Sequence, residues 1–308
     1  MKRFSKYFLV LIVTITINPV FAGGFSDLGN SARVASMGGA HIAVGNAPYS
    51  LFYNPAGIYS IKNLYISSTY SSLFPGIIDD NLNYLSLSGV IPFDFIGQFG
   101  LGGTFLNSEL WKEYTINFTY TRELFENFAV GGTFKLLGWS AEAAPGESPL
   151  SYTGYTADIG AYYTFRAITP SSDLSLGVVA HNITQPSISK SGSSDANLPM
   201  QLGLGFAYVS DLYDYIITAD FYKEEDQISV KSGAEFSVFS QALLNYNTNL
   251  LIRVGYNRII QSDFAEQSGI SGGFGLNVEK LEIDYAYQLP VELTNVGGSH
   301  KISLSYKF

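Results

Sequence analysis

Three sets of residues have types and spacings that invite a chemical reading. Gly269-Ile270-Ser271-Gly272-Gly273 fits the pattern that presents a nucleophilic serine, but that device works only on a sharp strand-to-helix turn. Here it opens an alternating segment, so Ser271 reads as a serine facing a sheet interior among glycines. The three histidines, His41, His181 and His300, lie far apart with no i,i+4 pairing, which gives a metal little to bind. Asp79-Asp80, Glu142, Glu147, Asp195, Glu224-Glu225-Asp226 and Asp263 cluster in turn-rich breaks without the spacing of a calcium loop, and read as a solvated acidic rim. Cysteine is absent, which excludes disulfides, thiolate metal sites and a lipidated amino-terminal cysteine. No catalytic residue, metal or cofactor is expected. The third set carries more. Lys135, Asp158, Asp220, Lys231, Glu235, Arg253, Glu282, Asp284, Lys301 and Lys307 all fall on the polar face of alternating segments, with both signs mixed. A wide water-filled pore does not need such pairing; a lumen closed by ion pairs does, and Arg33 is a candidate partner for Glu282 or Asp284.

These charges need strands to hold them. The last nine residues alternate without a break: Ile302, Leu304, Tyr306 and Phe308 point one way, Lys301, Ser303, Ser305 and Lys307 the other. From about residue 64 onward fourteen such segments can be marked, near 64–73, 82–91, 97–107, 112–122, 127–139, 152–165, 172–182, 199–209, 213–222, 226–239, 248–257, 268–278, 280–288 and 299–308. Their length suits a tilted membrane-crossing strand of ~9–11 residues. Charged residues make up only 14% of the chain and aromatics 15%, against roughly a quarter charged in a soluble domain. The expected fold is therefore all-β: a fourteen-stranded antiparallel transmembrane β-barrel, closed so that no edge is left unpaired in lipid. Longer loops fall on alternate connections, as in outer-membrane barrels; 239–248 is longer than its class should be, and 223–226 is shorter.

The amino terminus reads as an address. Lys2, Arg3 and Lys6 precede an apolar core from Tyr7 to Ile17, and Val20-Phe21-Ala22 forms a small-x-small site, so residues 1–22 read as a signal peptide cleaved after Ala22. Three of the 17 basic residues go with it, leaving 14 against 26 acidic, a balance that argues against nucleic acid as a partner. Residues 23–63 do not alternate and are rich in small side chains; they suit a plug or hatch in the lumen of the barrel formed by 64–308. Asn54-Pro55 reads as an N-cap followed by proline at the first helical position.

Ala32-Arg33 through Met37-Gly38-Gly39-Ala40, followed by Leu51-Phe52-Tyr53-Asn54-Pro55-Ala56-Gly57, resembles the amino-terminal signature of the PorV/PorQ family, relatives of the FadL-type outer-membrane barrels. Gly177-Val178-Val179-Ala180-His181-Asn182, Arg253-Val254-Gly255-Tyr256, Ile283-Asp284-Tyr285-Ala286-Tyr287 and Gly298-Ser299-His300-Lys301-Ile302-Ser303-Leu304 are similar as well. The resemblance implies a fourteen-stranded barrel with an amino-terminal hatch, passing hydrophobic compounds in FadL-like members and serving type IX secretion in the PorV branch. Two departures bear on this. Related sequences often carry acidic residues where this chain reads Gly45-Asn46-Ala47-Pro48-Tyr49-Ser50, and the outer loops are short.

The expectation that follows is a non-enzymatic outer-membrane protein surrounded by lipid and delivered to the barrel-assembly machinery by its C-terminal strand. Its leading role is passive passage of a small hydrophobic compound, with Met37, Tyr49, Leu51, Phe52 and Tyr53 of the hatch offering binding surface that shifts to open a path. The alternative is a PorV-like partner of secreted proteins or an envelope complex that transports nothing.

Overall fold

The computed structural model describes residues 24–76, 81–143, 148–189, 196–212, 214–243, 246–260, 268–291 and 297–308. The signal-peptide reading, the cleavage after Ala22 and the acids Asp79, Asp80, Glu147, Asp195 and Asp263 lie outside these residues. Fourteen strands form the wall: β1 Tyr65–Ser72, β2 Asn83–Phe93, β3 Gly97–Asn107, β4 Trp111–Phe125, β5 Phe128–Ala141, β6 Leu150–Thr169, β7 Ser172–His181, β8 Gln201–Ser210, β9 Tyr215–Glu224, β10 Gln227–Leu243, β11 Tyr246–Ile260, β12 Gly269–Val278, β13 Leu281–Pro290 and β14 Ser299–Lys307. Each pairs antiparallel with its sequence neighbours, and β1 pairs with β14, Ser67 opposite Ser305, so the sheet closes on itself. No helix among the described residues is long and apolar enough to cross a membrane; crossing is left to the strands.

The pleat sorts the side chains as the alternation predicts. On β14, Ile302 is 55% exposed and Ser303 fully buried, and Leu304 and Phe308 face outward with Ile302. On β11, Ile252, Val254 and Tyr256 are exposed on the wall while Arg253 is buried between them. An apolar outside and a polar, filled inside is the arrangement a bilayer requires. Phe93, Phe99 and Tyr120 pack edge to face or tilted on the outer wall, with ring centroids 5.1–5.4 Å apart. Introducing a charge on this face should be costly: Val254→Lys is expected to lower the stability of the bilayer-folded protein by ~2–4 kcal/mol, read from urea titrations of protein folded into vesicles.

Connections of two to four residues (94–96, 126–127, 170–171, 211–214, 244–245 and 279–280) alternate with a second set in which 73–82, 142–149, 182–200, 261–268 and 291–298 are longer and 108–110 and 225–226 are short, the latter as expected. Short turns mark the periplasmic side, which places the second set outside. The long connection expected at 239–248 is corrected: β10 runs on to Leu243. The alternation breaks there because the β10–β11 register shifts between Ser237 and Phe239, so that Phe236, Val238 and Phe239 all stay exposed. A bulge of this kind inserts one residue and hides the period.

Candidate functional site: a seated amino-terminal plug

Residues 24–63 run down the inside of the wall. Asp27 accepts from the Gly29 amide (3.0 Å) and from Asn30 Nδ2 (3.1 Å). Lys301 Nζ donates to the Leu28 carbonyl at 2.5 Å. Ser31 then caps a short helix α1, Ala32–Ser36, the serine oxygen accepting from the Arg33 amide. The Ala32 amide donates to Ser303 Oγ (2.7 Å), Ser303 Oγ meets Thr69 Oγ1 (2.8 Å), and Thr69 Oγ1 donates to the Asn30 carbonyl (3.1 Å). Ser303 and Thr69 lie on β14 and β1, so this polar chain ties the plug to the closing seam.

Arg33 leaves α1 toward β10. Its guanidinium makes a two-bond fork with Glu235, Nε to Oε2 at 2.8 Å and Nη2 to Oε1 at 2.7 Å. Glu235 also accepts from Arg253 Nε at 2.5 Å, and Arg253 Nη1 reaches Asp284 Oδ1 at 2.7 Å. The result is a charge-balanced row across β10, β11 and β13, with Arg253, Glu235 and Asp284 all buried. This corrects the partner expected for Arg33. Asp284 is already taken by Arg253, and Glu282 by Lys307 Nζ (2.7 Å) and the Tyr65 hydroxyl (2.5 Å).

Beyond the helix the backbone presses against the wall at glycines. Gly38 has φ +68°, and a Cβ there would lie 2.6 Å from the Tyr256 carbonyl oxygen and 2.7 Å from that of Ser232. Gly233 and Gly255, cross-strand partners on β10 and β11, are the wall's side of the same approach. The Gly38 amide donates to Ser271 Oγ (3.0 Å), which itself donates to the Ser36 carbonyl (3.1 Å). The serine of the Gly-x-Ser-x-Gly run is thus a strut for the plug. On β9, the strand neighbouring β10, Asp220 accepts from the His41 and Ile42 amides at 2.6 and 2.9 Å. Two 3₁₀ turns follow, Pro48–Phe52 and Pro55–Ile58. Asn54 caps the second through the Ala56 amide (3.0 Å), and its Nδ2 donates to the carbonyls of Ile42 and Ala161, both at 3.1 Å. Gly57 accepts from the Asn46 amide (2.9 Å). Gly39 lies beside the stem of Lys231.

The apolar plug residues form a packed core. Met37, Tyr49, Leu51 and Tyr53 are buried and Phe52 is partly so, leaving little free surface for a ligand in this state. His41 is buried between the rings of Tyr49 and Tyr53, centroids 5.5 and 5.4 Å away, with Nε2 2.9 Å from Ser50 Oγ. Burial lowers its imidazole to about 3, the Arg33 charge acting in the same direction, and burial pushes the Tyr49 phenol up to about 12. A histidine whose pKa falls on docking is neutral when seated and takes up a proton when released. Its contribution to plug stability is present above the free value near 6.5 and is lost as pH falls toward 3, at ~1.4 kcal/mol per pH unit within that window. Hydrogen exchange of residues 30–45 at pH 4 and pH 7 should show this loosening, and His41→Phe should remove the histidine's share of it.

The remaining luminal charges are placed as follows. Lys135 Nζ and His181 Nδ1 hold the two oxygens of Asp158 at 2.9 and 2.8 Å, and the Asn182 amide adds a third bond to that carboxylate (2.8 Å). Lys231 lies 4.6 Å above the Tyr222 ring and 3.8 Å from Asp27. Sequence reasoning named His41 and Ser303 without giving either a part in seating the plug, and passed over Asp27, Tyr65 and Tyr84, whose hydroxyl donates to Asn30 Oδ1 at 2.6 Å. The available signal was that Ser303 and Thr69 occupy the inward parity of the first and last strands.

No curated protein matches the sequence significantly. The fold is shared with solved outer-membrane barrels. The TodX ΔS2S3 mutant monoaromatic hydrocarbon channel aligns at a TM-score of 0.64 and 14% identity, covering 92% of this chain and 100% of that one. A Pseudomonas aeruginosa FadL homologue aligns at 0.57 and 12%, covering 90% and 98%, and the Pseudomonas putida toluene transporter TodX at 0.57 and 10%, covering 88% and 95%. At these identities the likeness is one of architecture. The closed fourteen-stranded wall is that of an outer-membrane barrel, and a family model matches residues 48–306: the chain belongs to the type IX secretion system membrane protein PorP/SprF family.

Proposed function

We propose that this protein is a sealed, membrane-held component of a type IX secretion apparatus, whose work is to bind secreted or envelope proteins rather than to conduct a solute. The carrying observation is the seat of the plug. A balanced chain of four charges, Arg33–Glu235–Arg253–Asp284, anchors the plug to β10–β13, and its residues press on glycines from β3 (Gly102) round to β12 (Gly273). Residues 23–63 then serve as a fixed plug and 64–308 as the barrel around it. The family description supports the secretion role.

Passage of a small hydrophobic compound is the second reading, favoured by the architecture shared with hydrocarbon channels. It requires Met37, Tyr49, Leu51, Phe52 and Tyr53 to leave their packed core and offer binding surface. Vesicles containing the purified protein separate the two. The sealed reading expects no uptake of a labelled fatty acid or of toluene above empty vesicles, together with envelope or secreted proteins co-purifying with the barrel. Saturable uptake that is abolished by cross-linking the plug to the wall would overturn it.

A further inference from the structure

The chain has two tryptophans, and both face the lumen at its outer mouth. Indoles in such barrels usually belong on the lipid face near the membrane boundary, where Phe93, Phe99 and Tyr120 lie here. Trp111 and Glu113 on β4 share the inward parity of buried Asn117 and Thr119, and Trp139 on β5 shares that of buried Leu137. Glu113 is the cross-strand partner of Trp139, and Trp139 of Tyr152. The three rings make a stacked shelf: Trp111 to Trp139 at 4.7 Å and 18°, Trp139 to Tyr152 at 6.5 Å and 22°. Ile188 and Leu198 of the β7–β8 connection pack over it against Leu137. Trp139 Nε1 fastens that connection by donating to the Ile188 carbonyl at 2.8 Å.

The pocket so formed has an occupant. Phe25 packs against Leu137, Ile188 and Leu198, and its amide donates to Glu113 Oε2 at 2.8 Å. The other carboxylate oxygen is held by Trp111 Nε1 at 2.6 Å. Phe25 sits at φ +61°, a region that side-chain-bearing residues enter at a cost. The first described residues of the plug are therefore drawn up to the outer mouth and inserted into a pocket of wall and loop.

We propose that this pocket is a peptide-recognition site for an aromatic side chain carried beside a backbone N–H donor. Phe25 is its resident occupant, so a segment of a secreted protein binds by displacing the protein's own amino-terminal strap. The ligand class is read from what the pocket already holds. An aromatic hydrocarbon alone would fill the apolar part but leave Glu113 Oε2 without a donor, and a buried or half-buried carboxylate oxygen stripped of its partner is costly. Sugar stacking needs free polar groups around the rings, whereas both indole N–H groups are committed. The secretion reading supplies the source of the peptide, and binding of a model peptide is independent of it.

Because both tryptophans line the pocket, their emission reports its occupancy directly. Full-length protein in nanodiscs carrying Phe25→Ala is titrated with acetyl-Gly-Phe-Ser-amide. A saturable emission change is expected at a concentration at least tenfold below that needed for the wild type, with acetyl-Gly-Ala-Ser-amide silent. Adding Glu113→Ala should weaken the probe about ten- to a hundredfold, the range for a hydrogen bond to a charged group. Phe25→Leu, which keeps the apolar packing of the strap, should fall between wild type and Phe25→Ala and stands in if the alanine chain does not fold. No saturable response from variants that keep the heat-dependent gel mobility of a closed barrel overturns the proposal. So does a response to toluene that matches the peptide's and survives Glu113→Ala, which would make the pocket merely apolar. Peptide binding without any co-purifying protein would count against the secretion role and leave the site standing; the converse would do the opposite.

Discussion

Glu235→Ala releases the plug. Glu235 is the shared acceptor of Arg33 and Arg253, so its loss leaves one guanidinium of the plug and one of the wall with only Asp284 beside them. Removing one partner of a buried ion pair costs about 3–5 kcal/mol because the other charge remains desolvated. The expected result is rapid hydrogen exchange across residues 30–45 while strand amides stay protected, and a single-channel conductance above that of the wild type. A double substitution sharpens the attribution. Arg33→Met with Glu235→Leu removes one charge of each sign and leaves Arg253 paired with Asp284, so it should destabilise less than Glu235→Ala alone. Protection in Glu235→Ala equal to the wild type would mean that the charge row does not hold the plug.

Gly38→Ala is the second large effect, and a neighbouring glycine isolates its cause. A side chain at φ +68° costs roughly 1–2 kcal/mol by local sterics alone. The new Cβ would also stand 2.6 Å from the Tyr256 carbonyl oxygen and 2.7 Å from the Tyr256 nitrogen. Those are ladder atoms that cannot give way, and overpacking of that kind adds roughly 1–3 kcal/mol. Gly39 has φ +83°, but its Cβ would meet only the flexible stem of Lys231 at 3.2 Å. Gly39→Ala should therefore show the sterics of the turn without the clash. Exchange rates of the plug amides in the two variants, measured side by side, give the difference; equal effects would remove the close approach as an explanation.

The wall was legible because a membrane strand obeys a period of two over its whole length. All fourteen strands are anticipated, from residues as far apart as Ile116, Phe118 and Tyr120 on β4 and Ile302, Leu304 and Tyr306 on β14. The period fails where chain is inserted, as at Val238, and so the end of β10 was read too early. The plug was less legible. Asn54-Pro55 announces its capped turn because capping is local. The partner of Arg33 is not local, since parity says that Glu235, Glu282 and Asp284 all face inward but cannot say which are already taken. Asp284 and Glu282 were removed from reach by Arg253 and by Lys307 with Tyr65, and only the direction in which Arg33 leaves α1, itself packed on β13 through Ala32, Ala35 and Ala286, decides the rest. The inward tryptophans were open to the same parity argument, which needed only to be extended to the strand ends Trp111 and Trp139.

The seam between the first and last strands has a consequence for biogenesis. Ser303 and Thr69 complete their hydrogen bonds only with Asn30 and Ala32 in place. A wall that closed with its leading segment outside would keep the β1–β14 ladder but leave the Ser303 and Thr69 hydroxyls short of partners, so the joint is completed by the chain's own front end.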